Sequence, residues 1–147
     1  MLRRMSDEQL FPLPLRDSDD ELLISVYRKQ SRTLDDLPYT PEFSEIALAM
    51  GAGTMSQQAA LFRRLHTIRK AGNLPRMGKA TEARPRIERE QEAILVELVE
   101  QAVGRLSLRD QLPYTTAFDT IVAQFNARAG LTLSPHDIWR LIAKLAK

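Results

Sequence analysis

The sequence predicts an all-α fold of two tandem three-helix repeats joined by a basic Pro/Arg linker, and three observations lead there. Apolar residues recur at spacings of three and four along most of the chain, with no strand-like alternation. Leu37-Pro38-Tyr39-Thr40 returns as Leu112-Pro113-Tyr114-Thr115, an offset of 75, and at that offset Asp35 meets Asp110, Phe43 meets Phe118 and Ile46 meets Ile121. With two more residues in the second copy, Gly53 meets Gly130, Phe62-Arg63 meets Trp139-Arg140, Leu65 meets Ile142 and Ile68 meets Leu145. Between the copies, residues 73–86 are rich in Pro, Gly and Arg and have no apolar periodicity. The expected organisation is an N-terminal extended segment (1–17), a first repeat (18–72), a basic linker (73–86) and a second repeat (87–147).

In the N-terminal segment, Leu10-Phe11-Pro12-Leu13-Pro14-Leu15 is apolar but broken by proline, so it cannot be a helix interior. It either drapes over the bundle or docks on a partner. Ser18 followed by Glu21 reads as a capping-box start, and Leu22, Leu23, Val26 and Tyr27 form the stripe of the first helix. Thr40-Pro41 supplies an N-cap and a first-position proline for the second helix, with Phe43, Ile46, Ala47 and Met50 inward. Gly51-Ala52-Gly53 ends it. Ser56 is the expected cap of the third helix, which buries Leu61, Phe62, Leu65 and Ile68 and stops near Gly72.

The second copy opens with one long helix marked by Ile87, Ile94, Leu95, Leu98, Val99, Ala102, Val103 and Leu106. Its second helix runs from Thr115 through Phe118, Ile121, Val122 and Phe125 to about Ala129, where Gly130 stops it. Ser134-Pro135 and Asp137 then start a helix carrying Ile138, Trp139, Leu141, Ile142 and Leu145. Tyr39 and Tyr114 are expected to be buried at recurring corners, with their hydroxyls bonded locally.

Composition narrows the function. At 147 residues and 16.7 kDa, with 44% hydrophobic and 27% charged residues, the chain suits one modest domain or two very small ones. Cysteine is absent and there are two histidines, which removes disulfide scaffolds, thiolate metal sites and Cys nucleophiles. No run approaches the roughly 18 apolar residues of a membrane span, and acidic residues follow Met1–Met5 where a signal peptide would be apolar. A cytoplasmic location is expected, without membrane contact. Asp17, Asp19, Asp20 and Glu21 suit the positive end of a helix dipole better than acid–base chemistry. His66 and His136 read as surface residues, and Ser56 and Ser134 as caps. No catalytic residue, metal site or cofactor is expected, and the chain does not read as an enzyme.

The net charge of +2 is a sum of unlike parts: residues 1–50 hold six Lys/Arg against ten Asp/Glu, residues 60–90 nine against three, and residues 91–147 six of each. A basic block behind an acidic head suggests a polyanion-binding stretch. Placing Leu61, Leu65 and Ile68 inward turns Gln57, Ala60, Arg63, Arg64, Thr67 and Lys70 outward.

A second helix, a glycine-containing turn and a third helix bearing Arg63, Arg64, His66, Arg69 and Lys70 make the order of a helix-turn-helix. Over about residues 40–72, and more weakly 115–147, the chain resembles DNA-binding helix-turn-helix proteins in architecture. That resemblance implies a nucleic-acid-binding module for duplex DNA, with a role in transcription regulation and the third helix as its reader. Gln57 and Gln58 would address adenine, Arg63 guanine or phosphate, and Arg64, Arg69 and Lys70 phosphates, with Thr67 on the same outward face. Arg76, Lys79, Arg84 and Arg86 would follow as a basic arm or serve as plain linker. Arg63 has a second reading, as a structural residue matched by Arg140. The neutral second copy is expected to pack against the first or against another subunit. The alternative function is a protein–protein adaptor acting through Leu10–Leu15 or the second repeat.

Overall fold

A computed structural model of the protein describes residues 17–76 and 84–147; Leu10–Leu15 and Lys79 lie outside the described residues. The fold is all-helical, with six α-helices, two 3-10 segments and no strand among the described residues. The chain divides into two compact units, Met1–Lys79 and Ala80–Lys147. The first holds α1 (Asp17–Arg28), a 3-10 segment (Leu34–Asp36), α2 (Pro41–Ala49) and α3 (Met55–Lys70). The second holds α4 (Arg89–Val103), a 3-10 segment (Leu106–Gln111), α5 (Thr116–Ala129) and α6 (Pro135–Leu145).

In the first unit α1 starts at Asp17, so Ser18 lies inside the helix and not at its cap. Its buried stripe is Leu23 and Tyr27, at i and i+4, and Gln30 is buried just beyond the helix. Leu22, expected inward, sits a quarter-turn off that stripe and is 49% exposed. Beyond α1, Arg32 joins two acids, its Nε donating to Glu42 at 2.7 Å and its Nη1 to Asp36 at 2.9 Å. This ties the 3-10 segment to the first turn of α2.

α2 begins at a corner in which Tyr39 is left-handed (φ 65°) and Thr40 extended. The Thr40 hydroxyl donates to the Leu37 carbonyl at 2.6 Å and accepts from the Phe43 N–H at 3.2 Å. Pro41 occupies the first helical position, where no N–H is needed. The helix closes in a Schellman turn: Gly51 is at φ 72°, its N–H bonds to the Leu48 carbonyl, and the Ala52 N–H bonds to the Ala47 carbonyl.

The cap of α3 is Thr54, two residues before the expected Ser56. The Thr54 hydroxyl accepts from the Gln57 N–H at 3.1 Å, and Gln57 Oε1 returns the bond to the Thr54 N–H at 3.0 Å. Ser56 has Ala59 three residues on, which has nothing to return. Phe43 and Phe62 meet edge to face at 6.5 Å over a core of Leu23, Ile46, Leu61 and Leu65. Ala60, expected outward, is buried, as is Ala59. His66, expected at the surface, is 2% exposed and packs edge-on against Phe62 at 4.8 Å.

In the second unit the expected long helix is shorter. The N–H of Glu88 donates to Gln91 Oε1 at 2.8 Å at its start, and Gly104, at φ 94°, ends it. Ile87 therefore precedes α4, and Leu106 falls in the following 3-10 segment. The corner geometry then recurs: Tyr114 is at φ 67°, and the Thr115 hydroxyl donates to Leu112 at 2.6 Å and accepts from Phe118 at 3.2 Å. Phe118 meets Trp139 edge to face at 6.5 Å. Tyr39 and Tyr114, expected buried, are both half-buried.

The Asn126 side chain clasps the loop between α5 and α6, accepting from the Leu133 N–H at 3.0 Å and donating to the Leu133 carbonyl at 2.9 Å. Ser134 caps α6 by accepting from the Asp137 N–H at 3.1 Å. Arg140 is buried beside Trp139 in sequence. His136, also expected at the surface, is half-buried.

Thr40→Val keeps the side-chain shape but removes both hydroxyl bonds at a buried corner. It is expected to lower stability by about 1–2 kcal/mol, and Thr115→Val by a similar or smaller amount. Chemical denaturation of the two variants checks this, with the serine replacements retaining most of the wild-type midpoint.

Candidate nucleic-acid interface

The predicted interface residues fall into three groups. The first closes the turn between α2 and α3: Gln57 Oε1 accepts from the N–H groups of Gly53 at 2.9 Å and Thr54 at 3.0 Å, and Gln58 Nε2 donates to the Ala52 carbonyl at 3.3 Å. One atom of each amide expected to address adenine, Gln57 Oε1 and Gln58 Nε2, is thus engaged at its own helix start.

The second group is tied to acids brought from elsewhere in the unit. Arg64 makes a two-pronged ion pair with Asp20 of α1, one bond measuring 2.8 Å from Nε to Oδ1 and the other joining Nη2 to Oδ2. Asp20, expected to serve its own helix dipole, stands in the first turn of α1 and also joins α1 to α3. Arg69 reaches Asp35 at 3.5 Å through Nη1 and lies 3.4 Å from His66 Nδ1 through Nη2.

The third group faces outward. Arg63, Thr67 and Lys70 follow one another at i, i+4 and i+7, which places them on one face of α3. Arg63 is half-buried, while Thr67 and Lys70 are exposed. The Thr67 hydroxyl donates to the Arg63 carbonyl at 3.1 Å. Among the described residues neither Arg63 nor Lys70 makes an ion pair, and α3 contains no acidic residue. Arg76 is exposed just beyond α3, and Arg84 and Arg86 are exposed ahead of α4 in the second unit. Lys79 lies outside the described residues.

Sequence reasoning missed the acid partners. The sequence separation between Asp20 and Arg64 is 44 and that between Asp35 and Arg69 is 34, so no local spacing rule joins them. The role of Gln57 was legible, because Thr54 three residues ahead of a glutamine is a capping-box pattern.

Burial perturbs one ionisable group beside Arg69. The Tyr27 phenol is pushed from 10.0 up to about 12, chiefly by desolvation, with Arg69 lowering it and Asp35 raising it in turn.

No family model, curated protein or solved structure matches this chain. No helix among the described residues is long and apolar enough to cross a membrane.

Two outcomes are expected. Arg64→Ala should cost about 1–2 kcal/mol of stability, since it leaves a half-buried carboxylate without its fork; a double-mutant cycle with Asp20→Ala measures the coupling. Because Tyr27 stays protonated in the folded state where the unfolded chain ionises, stability should fall as pH rises from 10.0 toward about 12. Unfolding titrations across that window should show a smaller fall for Tyr27→Phe.

Proposed function

We propose that the protein is a nucleic-acid-binding module for duplex DNA, built from a three-helix unit present in two copies and serving transcription regulation. In this reading α3 is the helix that meets the polyanion. The observation that carries the proposal is the face formed by Arg63, Thr67 and Lys70 on a helix with four basic residues and no acid. The order α2, glycine turn, α3 supports it further. The matching corners at Thr40 and Thr115, and the matching ring pairs Phe43–Phe62 and Phe118–Trp139, support the duplication.

In this reading the residue roles divide as follows. Gln57 and Gln58 preform the turn, and Arg64 is structural. Arg63 and Lys70 contact phosphates, with Arg76 and the linker cations Lys79, Arg84 and Arg86 adding to the attraction. With few phosphate contacts, affinity is modest and depends on salt.

A second reading, a protein–protein adaptor, draws on a different feature. Leu48 is 84% exposed and Met55 46% exposed beside a largely apolar groove of about 560 Å3 at the turn between α2 and α3.

The deciding measurement is duplex binding against salt concentration. The Arg63→Ala/Lys70→Ala double variant should bind more weakly and lower the slope of log affinity against log salt by about 2, with its unfolding midpoint little changed. Unaltered binding would overturn the DNA reading and leave the adaptor.

A further inference from the structure

A second basic feature lies on a different side of α3. The last turn of α1, the approach to the 3-10 segment and the residues after α3 enclose a cavity of about 410 Å3. Its polar lining is Tyr27, Thr33, Arg69 and Arg76; its apolar lining includes Leu34, Leu74 and Pro75. The Schellman turn after α3 shapes its rim, with Gly72 at φ 82° and the Asn73 N–H bonded to the Ile68 carbonyl at 3.0 Å.

The donors here are less committed than those elsewhere in the unit. Arg32 and Arg64 hold their acids with bonds of 2.7–2.9 Å, whereas the two terminal nitrogens of Arg69 rest on partners at 3.5 and 3.4 Å. Arg76 makes no ion pair among the described residues. Thr33 stands at the cap position of the 3-10 segment, yet its side chain makes no cap hydrogen bond. Two guanidinium groups against the single carboxylate of Asp35 leave the site positive. The Tyr27 phenol, held protonated by burial, serves as a donor up to high pH.

We propose that this cavity binds a small organic phosphate monoester, the phosphate lying between Arg69 and Arg76 and the organic body lying against Leu34, Leu74 and Pro75. A carboxylate has two oxygens for these donors. A phosphate monoester offers three, and it suits the planar forks of paired arginines together with the Thr33 and Tyr27 hydroxyls. The volume falls within the range of small-ligand pockets, roughly 300–1,000 Å3. The site does not depend on the DNA reading, which is carried by Arg63, Thr67 and Lys70 on the outward face of α3 and draws on Arg76 only for added attraction.

Phenyl phosphate titrated into the full-length protein, followed by calorimetry and amide chemical shifts, tests the proposal. It should bind at least about tenfold more tightly than inorganic phosphate, with the largest shifts at Tyr27, Thr33 and Gly72. Arg76→Gln, at an exposed side chain, should weaken binding about tenfold or more without altering the unfolding midpoint, and Asp35→Asn should strengthen it. The Arg63→Ala/Lys70→Ala variant should bind phenyl phosphate as wild type does, whether or not it binds duplex. Equal affinity for phenyl and inorganic phosphate, shifts elsewhere, or wild-type binding by Arg76→Gln would overturn the proposal. Displacement of phenyl phosphate by duplex DNA would assign the cavity to a backbone phosphate instead.

Discussion

The hydroxyl of a threonine at a corner governs much of this fold. In each unit it donates back to a carbonyl three residues earlier and accepts from the N–H three residues later, joining a 3-10 segment to the helix that follows. That bond pair sets the angle at which α2 and α5 leave their corners, and so where Phe43 and Phe118 present their rings. The preceding tyrosine is left-handed in both places, a conformation costing a non-glycine residue roughly 1–2 kcal/mol. Packing around the corner must offset that cost.

From this corner the electrostatics of the first unit follow. Once α2 lies against α1, the acids of the head stand opposite the arginines of the third helix. Asp20 takes Arg64, Asp35 approaches Arg69, and Arg32 gathers Asp36 and Glu42. The acidic head and basic block seen along the chain therefore partly cancel in space. The positive charge that remains is divided by the helical period: Arg63 and Lys70 share one face, while Arg69 points toward α1 and the 3-10 segment.

That division organises the functional readings. A turn held closed by Gln57 and Gln58 gives α3 a preformed start, so that in the proposed DNA-binding role its outward stripe would meet the polyanion without ordering the backbone first. The proposed phosphate cavity draws on the other end of the helix, where the chain leaves through a glycine turn and brings Arg76 back near Arg69. A helix of 16 residues is long enough to keep these two proposed sites apart.

The all-helical class, the stopping glycines at 51 and 130, the caps at Thr40, Thr115 and Ser134 and most of the aromatic core are readable directly from the chain. They depend on contacts within a few residues and on the helical period, which are local. Even the cap at Thr54 is a local pattern, hidden only by a competing serine two residues later. The fates of Arg64, Arg69, His66 and Ala60 are different. The two arginines are set by acids that α1 and the 3-10 segment place opposite them, across sequence separations that no spacing rule spans, and the burial of His66 and Ala60 is a property of the packed unit. Charge along a chain is additive, but charge on a surface depends on which partners folding brings within reach. For that reason a run of basic residues that looks like one continuous patch becomes, in the folded unit, a structural anchor at Arg64, a narrow outward stripe and the wall of a cavity.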